Sequence, residues 1–143
     1  GAAAAALLAL AGRKVHVVAR RPAIAQELVD RLETGATVIP WGDPVPSGVV
    51  VNATSLGMRG EMLPPTAIES ATGLLDMSYG LTPTPSVAVL RTQGLPVADG
   101  LDMLVGQAVG CFRIWSGEDV EPRIFRAAAE AEIRRRTEGD VQC

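Results

Sequence analysis

Short apolar runs alternate with helical patterns along nearly the whole chain, and this alternation constrains the fold most. Residues 14–19 (Lys-Val-His-Val-Val-Ala), 36–39, 48–53, 73–77 and 95–98 are rich in β-branched or aliphatic side chains and read as strands. Between them lie segments with helix signals. Residues 2–11 are strong helix formers ended by Gly12. Pro22 opens a helix to about residue 33, with Gly35 beyond it. Thr84-Pro85 opens another to about residue 93, closed by Gly94. Helices from residue 100 to about 116 and over about 121–136 follow, the last carrying Arg134, Arg135 and Arg136 in its final turn, where cations suit the helix dipole. Residues 40–47, with three prolines and a glycine, and residues 56–65 are loops, with a short helix before the fourth strand.

The order is α-β-α-β-β-(short α)-β-α-β-α-α. The strands are continuous apolar runs rather than alternating ones, as expected for strands buried on both faces. The expectation is an α/β protein: a Rossmann-like, doubly wound, mostly parallel sheet with helices on both faces and extra C-terminal helices. The strand that would precede the first helix is absent, and the chain starts at Gly1 rather than Met. We therefore expect the sequence to be part of a longer protein. No internal repeat or second domain boundary is visible, so residues 1–143 read as one domain.

Composition narrows the function classes. Hydrophobic residues make up 48% of the 143 but aromatics only 3%, so the core is aliphatic. The formal net charge of -3 argues against nucleic acid as a partner. No apolar run has membrane-spanning length. Cys111 and Cys143 are far apart, which points to a reducing, cytoplasmic setting without a disulfide framework. One histidine, His16, lies in a strand without a readable partner, so neither a metal site nor a nucleophile–base pair is expected.

The strand exits carry the candidate chemistry, because open α/β sheets bind ligands outside the carboxyl ends of their strands. Gly1 is a remnant of a glycine-rich turn facing a pyrophosphate, or an ordinary helix start. About 20 residues on, Arg20 and Arg21 stand where a carboxylate would accept from the ribose of NAD and an arginine would accommodate the 2′-phosphate of NADP. They favour NADP if they are not simply solvated. Asn52 sits at the third strand's exit, followed by Thr54 and Ser55, which anchor a loop or bond a ligand. Asp76 caps a turn at the next exit, and Tyr79, the single tyrosine, either packs or presents a hydroxyl to a substrate.

The segment Asp99-Gly100-Leu101-Asp102-Met103-Leu104-Val105-Gly106-Gln107 starts a helix on a glycine. Leu101, Leu104, Val105, Ala108, Phe112 and Trp115 form one apolar stripe at about 100° per residue. Gln107 flanks it, and Gly106 and Gly110 suggest a close packing partner.

Together, Val51-Asn52-Ala53-Thr54-Ser55-Leu56-Gly57-Met58, Asp76-Met77-Ser78-Tyr79, Asp99 to Gln107, and Trp115-Ser116-Gly117 before Val120-Glu121-Pro122 resemble the C-terminal, nucleotide-binding half of the shikimate dehydrogenase family. The resemblance spans nearly the whole chain. It implies NADP-dependent, reversible reduction of 3-dehydroshikimate to shikimate, on the route to chorismate and the aromatic amino acids. It places Arg20 at the 2′-phosphate, with Ala19 and Arg21 replacing the family's Asn and Thr on either side. It places Met77 and Gly100 beside the nicotinamide and Asn52 near the nicotinamide ribose. It gives Tyr79 and Gln107 hydrogen bonds to the substrate. The family's catalytic Lys and Asp belong to an N-terminal domain without counterpart here, so no catalytic residue is assigned. Two alternatives stand beside this reading: a nucleotide-binding fragment without activity, and a quinate/shikimate dehydrogenase that accepts NAD. A small-molecule substrate is the expected partner, and both a monomer and a homodimer are compatible.

Overall fold

The computed structural model describes residues 1–80 and 82–140, the side chains of 138–140 excepted. The elements run α1 (Ala2–Ala9), β1 (His16–Ala19), α2 (Pro22–Arg31), β2 (Thr37–Pro40), β3 (Gly48–Asn52), α3 (Pro65–Glu69), β4 (Ala71–Asp76), α4 (Pro85–Thr92), β5 (Val97–Ala98), α5 (Gly100–Ser116) and α6 (Pro122–Asp140). Local chemistry sets most boundaries. Pro22 and Pro85 occupy first-turn positions, where the missing N–H leaves no bond unmade. The Thr84 hydroxyl caps α4, accepting from the Val87 N–H at 3.4 Å. Gly117, at φ +74°, ends α5 in the left-handed conformation.

All strand pairs are parallel, as the alternating order requires, but they form two sheets. β1 pairs with β2 in one, and β3-β4-β5 make the other. Among the described residues no strand pairs with the second edge of β1 or of β3. Each sheet has its own core. Leu7 of α1 and Val29 of α2 pack with Ala36 beside β1 and β2. Leu63, Leu74, Val87 and Leu90 form the second core on β4 and α4. α6 docks on α5 through an edge-to-face contact of Phe112 with Phe125, centroids 5.8 Å apart, and an Arg126–Asp102 ion pair.

Four expectations need correction. The stripe on α5 is buried only in part: Val105 is buried, but Leu104 is 38% and Trp115 83% exposed. The apolar period was real, but within α5 only Gly100 and Val105 are buried. Gly106 and Gly110 face open space, with nothing within 4 Å of an added Cβ, so no close partner explains them. The terminal helix continues to Asp140, so Arg134, Arg135 and Arg136 lie before its last turn. Arg135 and Arg136 instead bond Glu132, one turn back, holding its carboxyl down at about 2. Asp76 does more than cap a turn, as described below. Cys111 is free and exposed, and Cys143 lies outside the described residues.

Candidate functional site

β3 and β4 end level with each other, Asn52 opposite Asp76. Both side chains turn inward and are buried, Asn52 to 2% and Asp76 to 0% exposure. The Asn52 amide donates to Asp76 Oδ1 at 2.8 Å and to the Leu56 carbonyl at 3.0 Å. Its oxygen accepts from the Thr54 N–H at 3.1 Å and the Thr54 hydroxyl at 2.7 Å. These four bonds fill the capacity of a primary amide, with the Ser78 hydroxyl oxygen a further 3.4 Å from the amide nitrogen. Asp76 Oδ1 also accepts from the Ser78 N–H at 2.9 Å, and Oδ2 accepts from the Thr84 hydroxyl at 2.6 Å. The Ser78 hydroxyl reaches back to the Thr54 and Leu56 carbonyls, each at 3.0 Å. One carboxyl group thus ties together the exit of β3, the exit of β4 and the cap of α4. The loop after β3 is closed further by Glu61, whose carboxylate accepts the N–H groups of Gly57 and Arg59 and is held below its usual value by backbone N–H donors.

The network fixes where the chain leaves β4, and α5 then seats against that exit. A Cβ on Gly100 would overlap the Ser78 carbonyl oxygen and lie 2.6 Å from Tyr79 Cβ. Only glycine permits this approach. The Tyr79 side chain is left 57% exposed. It borders two shallow clefts that share Tyr79, Gly80, Thr82, Pro83 and Thr84. Asp99, Gly100 and Leu101 line the first, Gly57 and Met58 the second. Gly57, at φ +98°, also comes close, since a Cβ there would lie 2.6 Å from the Thr84 methyl.

Asp99 caps α5, accepting from the Leu101 and Asp102 N–H groups at 3.0 and 3.1 Å while Asp102 returns a bond to the Asp99 N–H. Arg91 of α4 adds a charged bond at 2.6 Å. Burial alone would raise the Asp99 carboxyl, but Arg91 and the backbone donors outweigh it and hold it below 3.8. A folded value below the unfolded one means the carboxylate stabilises the fold above pH 3.8 and loses that contribution as pH falls through the folded value. We expect the urea midpoint of the wild type to fall on acidification below that point, and Asp99→Asn, which keeps a capping side chain, to fall less. Equal acid limbs would remove Asp99 from the account.

At the other sheet, Arg20 leaves β1 and Arg21 forms the N-cap of α2, both exposed. Neither takes part in an ion pair among the described residues. The first turn of α2 carries no acidic residue, so its N–H groups and the two cations leave a positive field open to an anion. Gly1 caps α1 without a side-chain bond and is exposed.

The structure brings Tyr79 and Gly100 together. Met77, half-buried, donates its N–H to the Asn52 carbonyl at 3.0 Å and lines neither cleft. Gln107 is exposed on α5, two turns beyond Gly100, and lines neither cleft. Arg20, Arg21 and Gly1 belong to the first sheet and its helices. Sequence reasoning missed Ser78 and Thr84 as parts of the site, and Trp41 beside Arg20. A carboxyl closing the apolar run Gly-Leu-Leu-Asp was the available signal for the buried network. Among the described residues no three metal-binding side chains cluster, and no helix is long and apolar enough to cross a membrane.

No family model matches the chain. Curated relatives do. The shikimate dehydrogenase (NADP(+)) of Nitrobacter hamburgensis is 42% identical over 135 residues, covering 85% of this chain and 46% of that protein. The chain is a homologue of NADP(+)-dependent shikimate dehydrogenases over part of their length. It spans about half the length of the curated relatives it matches. The shikimate 5-dehydrogenase of Thermus thermophilus, solved in complex with NADP(H) and shikimate, superposes with a TM-score of 0.69 at 28% identity, over 87% of this chain and 46% of that one. The ligand-free 5-ketofructose reductase of a Gluconobacter strain superposes with a TM-score of 0.76 over 92% of this chain and 53% of that one; at 24% identity it speaks for the fold alone. The α/β architecture read from the alternation is therefore that of the shikimate dehydrogenase homologues.

Proposed function

We propose that residues 1–143 form the NADP-binding half of a cytoplasmic shikimate dehydrogenase, interconverting 3-dehydroshikimate and shikimate. The observation that carries this reading is the seat of Gly100 against Ser78 and Tyr79. It joins the end of β4 to the start of α5 and leaves an exposed hydroxyl-bearing ring beside a cleft. In a doubly wound sheet such strand exits border the ligand crevice.

The residues present fit a 2′-phosphorylated dinucleotide. Arg20 and Arg21 offer unpaired cations at the exit of β1, where NAD recognition would call for a carboxylate. Gly100 and Met77 offer a surface that a flat ring can approach, and Gly1 a helix start for phosphate. When bound, the nicotinamide supplies hydride chemistry; the protein positions it. Asn52, with its amide saturated, acts by holding the loop after β3 in place. The family resemblance gives the Tyr79 hydroxyl and the Gln107 amide the task of orienting the substrate and rejecting analogues that lack a matching hydroxyl; Tyr79 lines the clefts and Gln107 does not. Proton transfer is assigned by the family resemblance to a Lys and an Asp of the relatives' other half. This chain alone is therefore expected to bind NADP and not to oxidise shikimate, and turnover by it would contradict that division.

Arg20 gives the sharpest check of the cofactor. A charged hydrogen bond to phosphate contributes about 1.5–3 kcal/mol, so Arg20→Ala is expected to weaken NADP+ binding by roughly tenfold to a hundredfold and to leave NAD+ nearly unchanged. Calorimetric titration of both dinucleotides measures this. An equal loss for both would show that Arg20 does not read the 2′-phosphate.

A further inference from the structure

Arg20 and Trp41 follow Ala19 and Pro40, which are paired across neighbouring parallel strands. The Trp41 N–H donates to the Ala19 carbonyl at 3.0 Å, the bond that closes this last pair of the ladder. The two side chains therefore leave adjacent strands at one level. The Arg20 guanidinium carbon stands 6.0 Å from the centre of the Trp41 ring. Trp41 is half-buried and Arg20 exposed, so the ring is the fixed member of the pair. Gly42, at φ +93°, turns the chain directly after Trp41. Arg20 forms no ion pair among the described residues. Without a carboxylate to hold it, a long cationic side chain would otherwise spread over many rotamers. Contact with a ring face narrows that spread and leaves the in-plane N–H donors free.

We propose that Trp41 is a specificity-determining positioning residue: its indole holds the Arg20 guanidinium at the exits of β1 and β2, so that a 2′-phosphate meets donors already in place. The inference rests on the NADP reading above. It places part of the discrimination between the two dinucleotides on a residue that carries no charge.

The test is calorimetric titration of the 143-residue chain, wild type, Trp41→Leu and Trp41→Phe, with NADP+ and with NAD+. Trp41→Leu is expected to weaken NADP+ binding about three- to fivefold, the loss of one exposed cation–π contact, and NAD+ binding by less than about twofold. Trp41→Phe, which keeps a ring face, is expected to recover most of the loss. Unchanged NADP+ binding in Trp41→Leu, or equal losses for both dinucleotides, overturns the proposal while the NADP reading stands. If the wild type binds neither dinucleotide, the NADP reading fails and the proposal with it. A second measurement does not depend on Trp41→Leu folding. The chain has two tryptophans, so Trp115→Phe leaves Trp41 as the single tryptophan, selectively excited at the red edge of indole absorption. NADP+ is expected to change its fluorescence more than NAD+ does, and an equal response to both overturns the proposal.

Discussion

Asp76→Ala is expected to destabilise the fold by about 3–5 kcal/mol, because it strips buried donors of their acceptor at about 1–3 kcal/mol each. The Ser78 N–H and the Thr84 hydroxyl lose the bonds at 2.9 and 2.6 Å, and Asn52 keeps only the Leu56 carbonyl as a strong acceptor. Against a total stability of about 5–15 kcal/mol for a domain, that is at least about a fifth of the whole. The damage is not confined to one contact. The same carboxyl aligns the exit of β3, the exit of β4 and the start of α4, so the loop holding Tyr79 loses its anchor. Asp76→Asn, which keeps the size and one acceptor oxygen, is expected to fall between the alanine variant and the wild type. Urea unfolding measures both. A loss below about 1 kcal/mol in Asp76→Ala would mean that water replaces the carboxyl without strain, and that the network does not organise the site.

Gly100→Ala is expected to destabilise by about 2–3 kcal/mol, as overpacking does where the neighbours cannot give way. The obstacles are the carbonyl group of Ser78 and the Cβ of Tyr79, with the Ser78 carbonyl carbon at 2.7 Å from the added Cβ. These are backbone or backbone-attached atoms, tied to Asp76, and no rotamer change moves them. α5 must shift at its first turn, which pulls on the Asp99 cap and reshapes the cleft beside Tyr79. Gly106, in the same helix, is the control. An alanine Cβ there meets nothing within 4 Å, so Gly106→Ala is expected to stabilise by about 1 kcal/mol through helix propensity alone. Thermal unfolding of the two variants should shift in opposite directions. Two shifts of the same sign would show that Gly100 is not in close contact with β4.

These two residues also mark how far the sequence was legible. The helix from Gly100 to about Ser116 was readable because its glycine start and apolar period are local signals, and the structure bears out those bounds. The strand exits were readable for the same reason. What Gly100 touches was not, since the contact lies across the fold on residues 78 and 79. Asp76 looked like a turn cap because its partners Asn52 and Thr84 are separated from it in sequence. The division of the strands into two sheets was equally hidden, as alternation fixes direction but not which edges meet. Trp115 shows the opposite failure. Its place in a helical stripe suggested burial, but amphipathic period reports which side is apolar, not whether anything covers it. Arg20 was singled out by its position after β1, whereas the ring beneath it belongs to the next strand and no spacing rule links the two.

On the function proposed above, the exits of these parallel strands form one site for a 2′-phosphorylated dinucleotide. Proton–nitrogen correlation spectra of the chain, recorded during titration with NADP+ and separately with NAD+, test it most directly. Saturable shifts are expected at the amides of Arg20, Arg21 and Trp41, of residues 53–57, of Met77 to Gly80, and of Gly100 and Leu101. A tenfold or greater preference for NADP+, about 1.4 kcal/mol, is expected with them. Absence of saturable shifts, or shifts gathered at the opposite strand ends near Ser70 and Gly94, would contradict it.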